Sequence, residues 1–355
     1  MNKILPFTKP DISHLPADTY LMAILDSYPQ ATPWMVNNMV NIYIAKSLVL
    51  DGFARTTEFF NCPFLTISGV TYDYIDNMKY DIVEYLEFAL NNDFYIYIAV
   101  NRQDMNAYKG YNAETHNLIV YGYDSEKREF YLGDFFPYKD MPGGKFGCYV
   151  CSYEEMHNGF YGVHEFEGFR KNSNVMLLRY REEYTFVVSI AELIHSIEQF
   201  MSCENIFRNM AGENINFNFN SISIKEKGDF FFGADSFDLI AKQIKDIEFN
   251  RFRPLGLIKD MSTLWLRRLK YLIDNKYILR KQDLLQGKIQ NIVTTLQTAL
   301  NLFTKVTISP NKELAMTSRD RVSNMIMDSK ELFKQFLNEL LIELKYYQYT
   351  TEDFS

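Results

Sequence analysis

Apolar residues recur at helical spacing from Asp18 to Asp26 and again from Pro33 to Ile44, so the chain is predicted to open with two helices. Pro33 sits at a favoured first-turn position of the second. Pro63 to Tyr72 reads as a short strand, and Ile75 to Leu90 returns to helical spacing before Asn91, Asn92 and Asp93 break it. Phe94 to Val100 is a continuous apolar run suited to a buried strand. Two β-rich runs follow, His116 to Tyr123 and Glu129 to Asp134, joined by turn-forming residues as in a hairpin. Lys145 to Cys151 is a further strand, and Ser152 with Glu155 forms a capping-box signature for a helix.

Val175 to Tyr180 is the last predicted strand of this half. Beyond it the period changes. Ser189 and Glu192 make a second capping box for a helix to about Cys203, and Asp235 to Asp238 starts another. Long periodic stretches at Leu255–Leu272, Lys281–Thr304 and Thr317–Tyr347 follow, with a β-like interruption at Ile215–Ile224. The pattern predicts an α+β domain over 1–184 and a mainly α-helical domain over 185–355.

Composition narrows the function classes. At 355 residues two domains are expected, and 47% hydrophobic with 16% aromatic residues is a globular composition. A net charge of −8 argues against a nucleic-acid partner. No apolar run is long enough to span a bilayer and residues 1–10 lack the apolar core of a secretory signal, so no membrane partner and a cytoplasmic location are expected. Four cysteines, Cys62, Cys148, Cys151 and Cys203, are too sparse for a disulfide scaffold and are expected as free thiols. The Cys148/Cys151 spacing has no further ligands beside it, so no metal site is expected, and Cys62 reads as core.

Chemistry concentrates in the hairpin. Closing it around Ser125 sets His116 opposite Asp134, and directly opposed residues of an antiparallel pair share a face. A carboxylate beside an imidazole fixes its tautomer and turns the other nitrogen toward a reacting group. A one-residue slip would send Asp134 to the other face. His157, His164 and His195 have no comparable partner and read as structural.

Thr115 to Asp124 followed by Phe130 to Asp134, after a helical start, a central helix and the Phe94 to Val100 strand, resembles the C39-like papain-fold (cysteine protease-like) group. More narrowly it resembles the butirosin-biosynthesis-H type of acyltransferase found in peptide and aminoglycoside antibiotic pathways. The likeness covers roughly residues 10 to 180. It implies a papain-like N-terminal domain and a cysteine at the start of the first helix. It also implies an acyl or peptidyl carrier protein that delivers the chain as a phosphopantetheine thioester, with an amine acceptor taking it to form an amide in nonribosomal-peptide-type biosynthesis. No cofactor of the chain's own is implied. In that scheme His116 is the acid–base and Asp134 its orienter.

The chain departs from the pattern at the nucleophile. Ala17 occupies the position where the resemblance implies cysteine, just after Pro16. An introduced Cys-to-Ala replacement and a natural pseudoenzyme both account for it. Asp18 is a further candidate, as a carboxylate nucleophile, against the plainer role of helix cap. Two rival readings keep the fold: a C39-like cysteine peptidase and a non-catalytic binding module. In the helical half, Arg251, Arg253, Arg267, Arg268 and Lys270 concentrate positive charge and form a candidate dock for an acidic carrier protein, although solvated helix faces explain each of them singly.

Overall fold

A computed structural model describes the chain apart from residues 1, 49–50, 54–61, 79, 111–114, 139–140, 164–167, 206–214, 218–219, 223–229, 308–311 and 353–355. In order, the strands are β1 (Asn2–Ile4), β2 (Ile42–Ala45), β3 (Asp51–Phe53), β4 (Leu65–Thr71), β5 (Tyr95–Asn101), β6 (Thr115–Asp124), β7 (Glu129–Tyr138), β8 (Met141–Ser152), β9 (Asn174–Tyr180), β10 (Ile215–Phe217), β11 (Asn220–Ile222) and β12 (Phe230–Phe232). The helices are α1 (Pro16–Leu25), α2 (Thr32–Asn37), α3 (Tyr72–Asn77), α4 (Ile82–Asn91), α5 (Tyr153–Tyr161), α6 (Phe169–Asn172), α7 (Ile190–Met201), α8 (Asp235–Ile244), α9 (Arg253–Asp274), α10 (Gln282–Thr307) and α11 (Lys312–Glu352). The chain is mixed helix and sheet, an α+β arrangement.

It forms two compact units. The first takes Met1–Ala31, Glu58–Thr185 and Asn214–Ser223, and the second takes Thr32–Thr57, Phe186–Glu213 and Ile224–Ser355. A split into contiguous halves, 1–184 and 185–355, therefore meets the chain at Thr185 but misplaces two segments.

The first unit is built on a seven-stranded antiparallel sheet in the order β4-β9-β5-β6-β7-β8, with β1 added on β6. Its central strand β5 is the apolar Phe94 to Val100 run, and six of its seven residues are buried. The single helix expected over Ile75 to Leu90 is two, α3 and α4, because the Asp81 side chain accepts from Val83 N (2.8 Å) and starts a new helix. The Ser152–Glu155 capping box forms as its spacing requires and opens α5.

The β6–β7 hairpin differs from the expected register, and the difference matters. Near the turn, Asp124 faces Glu129 and Gly122 faces Tyr131; further along, Val120 faces Leu132 and Ile119 faces Gly133. Tyr121 is thus an extra residue, a β-bulge. Carried on from the turn without the bulge, the pairing would set Asp134 across from Ile119, on the face away from His116. One extra residue restores the parity. Asp134 then lies level with Leu118, two residues from His116 on the same face, so the two meet diagonally and not as the directly opposed pair expected. The bulge is packed in place: Tyr121 stacks on Phe7 at 4.5 Å, and the Phe7 ring lies where a side chain on Gly133 would project.

In the second unit α7 to α11 bury Trp265, Phe333, Phe336 and Leu340, and a three-stranded sheet runs in the order β12-β2-β3. The helix expected over Pro33 to Ile44 stops at Asn37, and its second half is β2. Met39 takes a left-handed φ of 54° between them, which no helix continues. Arg268 closes the short helix. It is buried and donates from Nε to Val36 O (2.6 Å) and from Nη2 to Asn38 O (2.7 Å), with its guanidinium 4.1 Å from the Trp265 ring centre. The β-like stretch at Ile215–Ile224 holds the β10–β11 pair, which belongs to the first unit, with residues 218–219 and 223–224 outside the described residues.

Candidate active site

The chemistry gathers in the first unit around one buried carboxylate. Asp134 of β7 has no exposed side-chain surface, whereas 23% of the His116 side chain is exposed. His116 Nε2 lies 3.2 Å from Asp134 Oδ1. Among the described residues Nδ1 has no hydrogen-bond partner, so the carboxylate holds one ring nitrogen and leaves the other available for proton transfer. The exposures fit that division: the orienting group is shielded and the imidazole reaches solvent.

Two tyrosines complete the carboxylate's shell. Tyr108 donates its hydroxyl to Asp134 Oδ2, and the Tyr20 hydroxyl reaches Oδ1 and also the Asn117 carbonyl oxygen at 2.8 Å. Both rings are buried. Burial first, and the negative charge of Asp134 second, push both hydroxyl pKa values well above the ordinary tyrosine range, so both stay protonated and act as donors. Buried charge is costly unless hydrogen-bonded, and these hydroxyls supply partners where, among the described residues, no lysine or arginine pairs with the carboxylate.

Each tyrosine is placed by its own element. Tyr108 ends a 3-10 turn (Asn106–Tyr108) after β5. Glu155 pins that turn: one oxygen accepts from Asn106 N (2.8 Å) while the other accepts from Ser152 N (2.9 Å) in the α5 capping box. Tyr20 lies on α1, one turn after Ala17, and residues three apart share a helix face. The opening of α1 is thereby tied to the His116–Asp134 pair. Ala17 itself is half-buried and follows Pro16 at the first helical position. The first intrahelical donor is Thr19 N, to Leu15 O (2.9 Å), so the amides of Ala17 and Asp18 precede the helix ladder.

Sequence reasoning identified His116 and Asp134 but neither tyrosine. A tyrosine in the buried run from Thr19 to Leu25 carries no mark of a polar role, and Tyr108 is remote from Asp134 in the chain. The N-cap position of α1 is Leu15, not Asp18; Asp18 lies in the first turn, 3.4 Å from His14 Nε2, both side chains being buried. This second histidine–carboxylate contact, beside Ala17, was not anticipated.

The remaining candidates separate cleanly. Cys62 is buried, and burial pushes its thiol up to about 12. Cys148 is exposed and Cys151 buried, as residues three apart in a strand should be, and no group of three metal-ligating side chains exists among the described residues. His157 pairs with Asp81 (3.2 Å), and His164 lies outside the described residues. The basic cluster needs correction: Arg268 is buried against backbone carbonyls and is no part of a docking surface. Arg253 pairs with the buried Asp51 (2.7 Å), and Arg251 donates to Ser47 O (3.1 Å). Arg267 is half-buried and Lys270 exposed. Among the described residues no helix is long and apolar enough to cross a membrane. No protein-family model and no curated protein matches the chain.

Proposed function

We propose that the first unit is a papain-like acyl-transfer module, with His116 as acid–base, Asp134 as its orienter and residue 17 as the nucleophile position. The observation that carries this reading is the Tyr20 link. It joins α1, one turn beyond residue 17, to a buried carboxylate that already holds an imidazole by one nitrogen. With a thiol at residue 17, the imidazole would take its proton as sulfur attacks the thioester carbonyl of a carrier-bound acyl chain. The carrier leaves as the free pantetheine thiol and the chain is held as an enzyme thioester. An amine then attacks, His116 takes the amine's proton, and the amide departs as the residue 17 thiol reforms. The Ala17 amide at the helix start is the candidate oxyanion donor.

One observation favours a second reading. Ala17 carries no nucleophilic atom, and with alanine there the same unit binds a carrier or small ligand without turnover. A single experiment separates the two. Ala17→Cys protein is mixed with acyl-carrier thioesters and weighed intact, with and without His116→Gln. An acyl adduct that depends on His116 supports the transferase. A thiol that alkylates freely yet never accepts an acyl group supports the binding module.

A further inference from the structure

We propose that the outer face of α4, with Tyr74 of α3, docks an arginine-bearing segment of a partner polypeptide. α4 buries Ile82, Leu86, Ala89 and Leu90. Its opposite face carries Glu84 and Phe88, one turn apart, and Tyr80 stands four residues before Glu84, just ahead of the Asp81 cap. Tyr74, Tyr80 and Phe88 are 59%, 64% and 68% exposed. Tyr85, half-buried and three residues before Phe88, joins that ring to Tyr74: burial, and then Tyr74 beside it, push the Tyr85 hydroxyl pKa up. A single exposed ring is ordinary, but rings gathered on one surface mark an interaction site.

Charge decides what that surface takes. Thr71 to Asp93 holds six carboxylates and one lysine, so this short stretch carries −5 of the chain's net −8. Arg170, His157 and Lys3 answer Asp76, Asp81 and Asp93. Asp73 and Glu87 accept from the hydroxyls of Thr71 and Tyr153, and Glu84, between Tyr80 and Phe88, has no cationic partner among the described residues. A carboxylate flanked by rings matches a guanidinium, which pairs bidentately with the one and stacks on the other, better than a compact, strongly hydrated ammonium. These side chains stand on the outside of a helix, and Tyr80 to Phe88 spans about 12 Å along its axis. Small ligands are held in concave sites, so that convex length suits a polypeptide with several arginines. Nothing in this surface depends on residue 17.

The probe is a fluorescein-labelled hexa-arginine peptide titrated into the full chain, with hexalysine as its equal in charge. Fluorescence anisotropy at physiological salt is expected to show the arginine peptide bound about tenfold more tightly than the lysine peptide. Phe88→Ser and Glu84→Gln, both at exposed positions, should each weaken it about threefold or more while the far-ultraviolet circular dichroism stays unchanged. Glu126→Gln, exposed in the β6–β7 turn, should leave the affinity as it was. An arginine peptide that does not bind overturns the proposal. So does equal affinity for the two peptides, which is general attraction to an acidic chain, and so does binding that survives both α4 variants. Spermine that displaces the peptide at equal concentration overturns the choice of a polypeptide.

Discussion

At the residue scale the site turns on how Asp134 is satisfied. Its two oxygens meet two tyrosine hydroxyls and one imidazole, all from different elements. A hydrogen bond to a buried charge contributes more than one between neutral groups. Tyr108→Phe and Tyr20→Phe should therefore each cost about 1–3 kcal/mol of folding stability, measured by urea denaturation. In the Ala17→Cys background the same changes should also slow acylation, because an unclamped carboxylate holds the imidazole less firmly. A loss of stability with no change in the acylation rate would make the tyrosines packing residues only.

At the element scale the single bulge residue Tyr121 decides the face on which Asp134 emerges. The sequence made the shared face legible, since a displacement of two residues preserves side-chain direction. It left the bulge invisible, because β-rich runs report alternation and not an extra residue held by stacking on Phe7. α2 and β2 teach the same lesson. Apolar residues from Pro33 to Ile44 fit a helix, but the strand partner β12 and the Arg268 cap are distant in the chain. Both tyrosines escaped for this reason too, whereas α5, fixed by a local capping box, was readable outright. Arg268→Met leaves the α2 carbonyls buried without donors and should cost about 3 kcal/mol. Chemical denaturation of the full chain checks it, and a change under about 0.5 kcal/mol would remove Arg268 as the cap.

At the scale of the whole molecule the interleaved units have a consequence for truncation. Residues 32–57 belong to the second unit, where the Asn37 side chain exchanges hydrogen bonds with the Ser189 backbone and β2 pairs with β12. A fragment ending at residue 185 strands Trp34, Met35 and Ile44, all buried in the full chain. It should be poorly folded, with collapsed amide dispersion in a nuclear magnetic resonance spectrum. A well-dispersed spectrum would mean that the first unit folds without the partners of 32–57.

The reactivity of a thiol placed at residue 17 tests the central claim most directly. If the imidazole of His116 lies beside the start of α1, Ala17→Cys should alkylate at least about tenfold faster than Cys148 at neutral pH. His116→Gln should abolish that advantage while Cys148, exposed on β8, keeps its rate. A residue 17 thiol no faster than Cys148, or indifferent to His116, would contradict the account.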